Sequence, residues 1–161
     1  MMKFNKPKFW DNKEPSFLSY LLLPLTFPII INNFYLKFKK ITPNQKIKTI
    51  CIGNIYIGGT AKTPLTIKIY DILKTLNSNA ATIKKFYIDQ IDEQRILDSR
   101  TKLYCSKNRI QALNQAIKNN VDIAIFDDGL QDGSISYNLR FVCFNNVKWI
   151  GNGFLIPAGP L

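Results

Sequence analysis

The sequence predicts an α/β protein with a mostly parallel sheet flanked by helices, preceded by an apolar segment that associates with a membrane. Three stretches indicate this. Residues 50–64 lead from an apolar strand through small residues into a helix start, and residues 121–129 form an apolar run that ends in two carboxylates and a glycine. Residues 15–36 carry no charge. We therefore divide the 161 residues into a membrane-associating segment, 1–45, and an α/β domain, 46–161.

Residues 50–64 have the order that a phosphate-binding loop requires. Glycines let backbone N–H groups converge on an anion, and the helix N-terminus adds partial positive charge. In the pattern G-x-x-x-x-G-K-[ST], Lys62 would neutralise the outer phosphates and Thr63 would hold Mg²⁺. Tyr56 and Ala61 occupy the two glycine positions, so a plain strand-to-helix turn is the alternative. The predicted phosphate-binding residues are Ile57, Gly58, Gly59, Thr60, Ala61, Lys62 and Thr63.

The acidic end of the second stretch is the natural counterpart of this loop. In open parallel sheets, ligands bind beyond the carboxyl ends of the strands. Asp127 and Asp128 would lie there, opposite the loop, where a P-loop enzyme holds Mg²⁺. The alternative is that these two acids follow the strand only because the chain reaches solvent there. Together the two stretches predict a P-loop NTPase-like nucleotide-binding domain over residues 46–161.

Apolar periodicity predicts the other elements of this domain. The helix that follows the loop should pack Leu65, Ile69, Ile72, Leu73 and Leu76 on the sheet. Asn108 should cap a later helix. The predicted strands are Lys48–Ile52, Ala80–Tyr87, Lys102–Cys105, Val121–Asp127 and Leu139–Phe144; the predicted helices are Lys62–Leu76, a short one within the polar stretch Asp89–Asp98, and one that ends at Asn119.

Composition excludes several kinds of site. The apolar fraction of 46% suffices for a core without disulfides. Cys51, Cys105 and Cys143 lie in apolar segments without C-x-x-C spacing, so we interpret them as reduced core residues and not as metal ligands. The chain has no histidine. A Ser-His-Asp triad, a histidine zinc site and a histidine base are therefore impossible within these residues.

The N-terminal segment combines positive charge with apolar length. Residues 1–48 hold nine lysines against Asp11 and Glu14, which is +7 of the net charge of +11. Because Pro24 and Pro28 should break a regular helix, we expect residues 15–36 to lie in or dip into a membrane interface. The flanking lysines would contact lipid phosphates, so an anionic membrane surface is the predicted partner. The alternative is an apolar helix that covers the sheet.

Two other interpretations of this segment fit less well. A signal peptide would have an earlier apolar run and a small-x-small cleavage site. Nucleic-acid binding would need aromatic side chains interleaved with the basic ones in a stacking groove, whereas these lysines surround an apolar run. We therefore predict no nucleic-acid partner.

Four stretches together resemble the tetraacyldisaccharide 4′-kinases, membrane-associated enzymes of lipid A synthesis. They are Pro7-Lys-Phe-Trp10, Ile52-Gly-Asn-Ile-Tyr-Ile-Gly-Gly-Thr-Ala-Lys-Thr-Pro64, Asp127-Asp-Gly-Leu-Gln131 and Gly151-Asn-Gly-Phe-Leu-Ile-Pro-Ala-Gly-Pro-Leu161. The resemblance spans nearly the whole chain but only the N-terminal half of a family member, so we expect a partial kinase. It implies ATP and Mg²⁺ as cofactors and a lipid-linked glucosamine disaccharide as the acceptor. It also implies a location at the cytoplasmic face of the bacterial inner membrane.

The resemblance also implies roles for individual residues. Lys62 would neutralise the β- and γ-phosphates, and Thr63 with Asp127 or Asp128 would hold Mg²⁺. Gln131 would order the site nearby. The family has an acidic pair between the loop and the Asp-Asp-Gly strand, and Asp92-Glu93 is the Asp-Glu pair in that interval. Asp92 would then accept the proton of the sugar hydroxyl, and Glu93 would lie at the metal.

The chain departs from the family pattern at three places. Ala61 replaces the glycine before the lysine, Asp132 follows Gln131 where a histidine is usual, and Lys84-Lys-Phe-Tyr87 replaces a Ser-Arg-Gly-Tyr-Gly-like turn. Two alternatives to the kinase therefore stay open at this point. One is another membrane-associated P-loop NTPase, although the chain lacks the Asn-Lys-x-Asp motif of GTPases. The other is a non-catalytic nucleotide binder at a membrane surface.

Overall fold

The computed structural model describes residues 6–38, 46–56 and 61–161, with side chains for all of these except 36–38. Ten regular elements follow one another along the described chain. They are α1 (Phe17–Leu22), α2 (Phe27–Phe38), β1 (Lys48–Gly53), α3 (Lys62–Thr75), β2 (Ala80–Lys85), α4 (Ile91–Arg100), β3 (Leu103–Ser106), α5 (Arg109–Lys118), β4 (Ile123–Asp127) and β5 (Leu139–Val142). Short 3-10 helices cover Lys8–Asp11, Leu23–Thr26 and Ile88–Gln90.

The five strands form one parallel sheet in the order β3-β2-β4-β1-β5. This confirms the predicted fold class. In the register of the two central strands, Ile52 of β1 lies beside Asp127 of β4. Because the strands are parallel, their carboxyl ends share one edge of the sheet. The loop after β1 and the acids after β4 therefore leave the sheet side by side.

The alternation of side chains along the strands builds a core on each face of the sheet. On one face, Cys51 and Phe126 pack with α5 residues that include Ala112 and Leu113. On the other face, Ile52 and Ile125 pack against α3. The α3 residues in that core are Leu65, Ile69, Tyr70 and Leu73. Ile72 and Leu76, predicted to face the sheet, are instead 47% and 67% exposed, because the contacting stripe of α3 is narrower than its apolar pattern.

β2 differs most from what its sequence suggests. The strand is only weakly apolar, yet residues 80–84 are buried, because β2 lies between β3 and β4. It ends at Lys85, two residues before the predicted end. The polar stretch after it folds as a 3-10 turn and the ten-residue helix α4, which is longer than expected. Asn108 caps α5 as predicted, its side-chain oxygen accepting a hydrogen bond from the amide of Ile110 at 2.8 Å.

The chain divides into two compact units. The sheet unit comprises Ile41–Asn54 and Ala61–Cys143, and the N-terminal unit comprises Met1–Lys40, Ile55–Thr60 and Phe144–Leu161. This division groups the last residues of the chain with the N-terminal segment. The functional boundary that we predict near residue 45 stays a prediction.

In the N-terminal unit, α1, a 3-10 helix and α2 follow one another from Phe17 to Phe38, so the uncharged stretch is helical from Phe17 onward. The regular α-helix is interrupted as predicted, because the 3-10 helix Leu23–Thr26, which contains Pro24, separates α1 from α2. Pro28 lies in the first turn of α2, where a missing N–H costs little. Many apolar side chains of the uncharged stretch are exposed, among them Phe17 at 84%. By length and composition the 19 residues Phe17–Tyr35 could cross a membrane, although a core helix or a signal sequence would pass the same test.

Hydrogen bonds within the N-terminal unit join the first and last of the four family-like stretches. The indole Nε1 of Trp10 donates to the carbonyl of Pro157 at 3.1 Å. The side-chain amide of Asn152 donates to Ser19 Oγ and to the carbonyl of Ala158, both at 2.9 Å. A side chain at Gly151 would lie 2.1 Å from the carbonyl oxygen of Trp10. These contacts hold the two stretches together within the N-terminal unit.

Candidate active site

The site lies at the carboxyl edge of the sheet, where three segments converge on Lys62. This lysine is the first residue of α3. Its ammonium donates to Asp128 Oδ1 at 2.7 Å and to Asn54 Oδ1 at 2.9 Å. Asn54 follows β1 and Asp128 follows β4. The structure thus brings together the lysine and one of the two acids that the sequence assigns to the site.

The second acid, Asp127, is fully buried beneath this pair. Thr63 Oγ1 lies 3.4 Å from Asp127 Oδ2, and Thr66 Oγ1 lies 3.2 Å from Asp127 Oδ1. Both threonines belong to the first turns of α3. The predicted metal-holding hydroxyl and carboxylate are therefore neighbours.

A change of backbone direction separates the two adjacent acids. Asp128 has φ 62°, a left-handed conformation that is uncommon for residues other than glycine. Its amide donates to the carbonyl of Ile52 at 2.8 Å, and its carbonyl accepts a hydrogen bond from Arg109. As a result Asp127 faces the buried Thr66 and the half-buried Thr63, whereas Asp128 is partly exposed and reaches Lys62.

The loop itself is described only at its edges. Ile57, Gly58, Gly59 and Thr60 lie outside the described residues. Ala61, the last residue before α3, has φ 55°. This conformation costs an L residue with a Cβ roughly 1–2 kcal/mol and favours glycine. Ala61 therefore occupies a position that favours the glycine of the phosphate-loop pattern.

Lys84 is a site residue that the sequence analysis missed. It lies on β2, is 1% exposed, and donates to Asp127 Oδ2 at 2.6 Å and to Glu93 Oε2 at 2.9 Å. Burial lowers the pKa of this ammonium, but the charges of Asp127 and Glu93 outweigh burial and raise it. No local pattern marks Lys84, because the alternation along β2 only places it on the face opposite Ile83, and its burial depends on the neighbouring elements.

The acidic pair Asp92-Glu93 lies in the first turn of α4. Both residues are exposed, Glu93 with 51% of its side chain. Lys84 links Glu93 to Asp127, so this turn lies next to the end of β4. Within the described ranges, no three His, Cys, Asp or Glu side chains form a group that could hold a metal by themselves.

A polar cavity of about 370 Å³ opens beside Asp128. Arg109, a second residue that the sequence analysis missed, is buried there and donates from Nη1 to Asp132 Oδ2 at 3.2 Å. Burial raises the pKa of Asp132, but hydrogen bonds from Ser134 and Arg109 outweigh burial and lower it. The side chains that line the cavity are Lys85, Tyr87, Arg109, Asp128, Gln131 and Asp132. Gln131 thus lines the same cavity as Asp128.

A larger cavity of about 770 Å³ is lined by residues of α4 and β3, including Ile91, Arg95 and Cys105. None of the predicted site residues lines it. We therefore do not place the candidate site in the larger cavity. The charged groups that converge at the carboxyl edge of the sheet define it.

A family model described as tetraacyldisaccharide-1-P 4′-kinase matches residues 19–97 and 89–161. The chain belongs to this family. The resemblance found in the sequence is thereby confirmed. The alternative of an unrelated P-loop NTPase is wrong.

Curated relatives carry the same name. The tetraacyldisaccharide 4′-kinase of Pelagibacter ubique (strain HTCC1062) is 57% identical over 99% of this chain and 51% of the relative. That of Rickettsia canadensis (strain McKiel) is 31% identical over the whole of this chain and 54% of the relative. The chain spans about half the length of the curated relatives it matches.

A solved structure shows the same fold. It is the "apo" form of LpxK from Aquifex aeolicus in complex with ATP, which matches with a TM-score of 0.70 and 20% identity. The match covers 89% of this chain and 54% of the other.

Proposed function

We propose that this chain is the nucleotide-binding half of a kinase that transfers the γ-phosphoryl group of ATP to the 4′-hydroxyl of a lipid-linked glucosamine disaccharide, tetraacyldisaccharide 1-phosphate. The observation that carries the proposal is the convergence of Lys62, Thr63, Asp127 and Asp128 at one edge of a parallel sheet. The family is named for this reaction, and the Aquifex aeolicus structure contains ATP.

Lys62 would contact the outer phosphates of ATP. Its ammonium lies at the N-terminus of α3, where the helix adds partial positive charge. Its contacts to Asp128 and Asn54 are only partly buried, so phosphate oxygens can replace them. Loop residues 57–60 would supply backbone N–H groups, as the sequence analysis predicts.

Thr63 and Asp127 fit Mg²⁺, because a hydroxyl and a carboxylate are the hard oxygen donors that this ion prefers. Sites for Mg²⁺ in nucleotide enzymes commonly use one or two carboxylates and complete the shell with phosphate oxygens and water. The small number of acids at this site agrees with that pattern. When bound, Mg²⁺ would neutralise charge that develops on the transferred phosphoryl group.

Asp92 would accept the proton of the attacking hydroxyl. The Lys84 bridge brings its helical turn next to the Asp127 end of β4. Phosphoryl transfer needs a positioned nucleophile more than covalent help from the protein. The polar cavity beside Asp128, with Lys85 and Arg109 in its lining, would receive the polar part of the acceptor.

The helical segment formed by α1, the 3-10 helix Leu23–Thr26 and α2 would bind the anionic surface of the inner membrane from the cytoplasmic side. The support is its exposed apolar side chains, together with the lysines that flank it in the sequence. Apolar insertion and attraction to lipid phosphates both favour such binding.

The test is a single-turnover transfer assay with a full-length polypeptide that contains these residues. Asp92→Asn should bind ATP like the parent but transfer phosphate roughly 10²–10⁴-fold more slowly, because it removes the proton acceptor. Asp98→Asn, at the other end of α4, is the matched control and should transfer at the parent rate. If Asp92→Asn also transfers at the parent rate, the base assignment is wrong.

A further inference from the structure

The first turn of α4 is held by side-chain hydrogen bonds to neighbouring segments rather than by its own N-cap. Gln90, at the N-cap position, makes no side-chain capping hydrogen bond. Instead Glu93 accepts from Lys84 at 2.9 Å, and the Gln94 amide donates to the carbonyl of Tyr87 at 2.6 Å. Of these two contacts, only the first reaches the end of β4, through Asp127.

Lys84 is a rigid link. Its side chain is 2% exposed, Asp127 is fully buried, and β2 is held between two other strands. The pair of Lys84 with the buried Asp127 interacts more strongly than a surface ion pair, since water screens it less. The ammonium therefore fixes the distance between Glu93 and Asp127.

We infer that Lys84 is a positioning residue for phosphoryl transfer, which through Glu93 holds the first turn of α4, and with it Asp92, in place against the Asp127 end of β4. This inference rests on the proposed function, in which Asp92 is the base and Asp127 holds Mg²⁺. Lys84 acts through its neighbours and does not touch the reacting atoms. Glu93 is then a tether of the helix and not a metal ligand.

Glu93→Gln tests this role without leaving a buried charge unpaired, because Lys84 keeps Asp127. The first measurement is amide hydrogen exchange of the 161-residue chain at Arg95–Asp98, whose amides close the first turns of α4. Loss of a partly exposed ion pair, worth up to about 1 kcal/mol, should raise exchange there up to about fivefold. Asp71→Asn, an exposed acid-to-amide change on α3, is the control and should leave it unchanged.

The second measurement is single-turnover transfer in the full-length polypeptide at saturating ATP and Mg²⁺. Glu93→Gln should slow transfer about tenfold to a hundredfold by misplacing the base, with the ATP affinity and the Mg²⁺ midpoint unchanged. The double variant Lys84→Met, Glu93→Gln should transfer no more slowly than Lys84→Met alone, because both changes break one link. Should Lys84→Met fail to fold, the Glu93→Gln results still decide.

Three outcomes are decisive. Unchanged exchange at Arg95–Asp98 in Glu93→Gln overturns the inference. A shifted Mg²⁺ midpoint in the same variant also overturns it, because Glu93 would then be a metal ligand. If the parent polypeptide transfers no phosphate to the 4′-hydroxyl, the proposed function fails, and the exchange measurement alone decides whether Lys84 and Glu93 hold the helix.

Discussion

The ammonium of Lys62 lies 2.7 Å from the carboxylate of Asp128, although 66 residues separate them in the sequence. The lysine predicted to meet phosphates is thus already paired with an acid at the end of β4. Both side chains are partly exposed, at 20% and 36%. Pairs of this kind contribute about 1 kcal/mol or less, so a ligand with several negative charges can replace the acid.

Asp128→Asn should therefore tighten the binding of ATP in the absence of Mg²⁺. The change removes a competitor for Lys62, and a gain of up to about 1 kcal/mol corresponds to up to about fivefold in affinity. Lys62→Ala should weaken binding under the same conditions. Calorimetric titration in EDTA measures both. Equal affinities of the parent and Asp128→Asn would show that the ion pair does not compete with the nucleotide.

Ala61→Gly should stabilise the chain by about 0.5–1 kcal/mol, because glycine adopts the left-handed conformation of this position without strain. ATP affinity should rise with it, since the change also removes a Cβ next to the proposed phosphate site. Ala116→Gly, in the interior of α5, should instead be destabilising by about 1 kcal/mol or more. Urea unfolding compares the two, and a loss of stability in Ala61→Gly would contradict the strain argument.

Acid should remove the contribution of Asp132 to stability. The pKa of Asp132 is lowered in the folded chain, because hydrogen bonds from Ser134 and Arg109 outweigh the opposing effect of burial. Its contribution is therefore present above the unfolded pKa of about 3.9 and is lost as the pH falls through the folded pKa. Asp132→Asn should be less stable than the parent at pH 7, and the difference should shrink below about pH 4. Urea midpoints at several pH values test this, with the exposed Asp122→Asn as control; a constant difference would refute it.

Leu25→Glu should weaken binding of the chain to vesicles of phosphatidylglycerol and phosphatidylethanolamine. Leu25 is exposed on the 3-10 helix between α1 and α2, and a carboxylate there opposes both apolar insertion and attraction to anionic lipid. Leu76→Glu, at an equally exposed leucine after α3, is the matched control and should bind like the parent. Co-sedimentation measures the bound fraction. If both variants bind equally, the helix is not the membrane contact.

The sequence alone predicted the elements whose signals are local. The structure contains three elements that each depend on a few neighbouring residues: the strand before the predicted phosphate loop, the helix that begins at Lys62 and the cap at Asn108. The acidic end of β4 was also predictable, because an apolar run that ends in Asp127 and Asp128 has reached the edge of a sheet.

Only the tertiary structure decided which charged side chains form ion pairs with one another. Lys84 lies in a weakly apolar strand, and its burial between Asp127 and Glu93 follows from the position of β2 between β3 and β4, a long-range pairing that no local pattern specifies. The different partners of Asp127 and Asp128 follow from one left-handed backbone angle at Asp128. Local sequence patterns therefore identified Lys62, Thr63, Asp127 and Asp128 as candidate site residues. The ion pairs of the site depend on which strands become neighbours, and packing over the whole sheet decides which strands do.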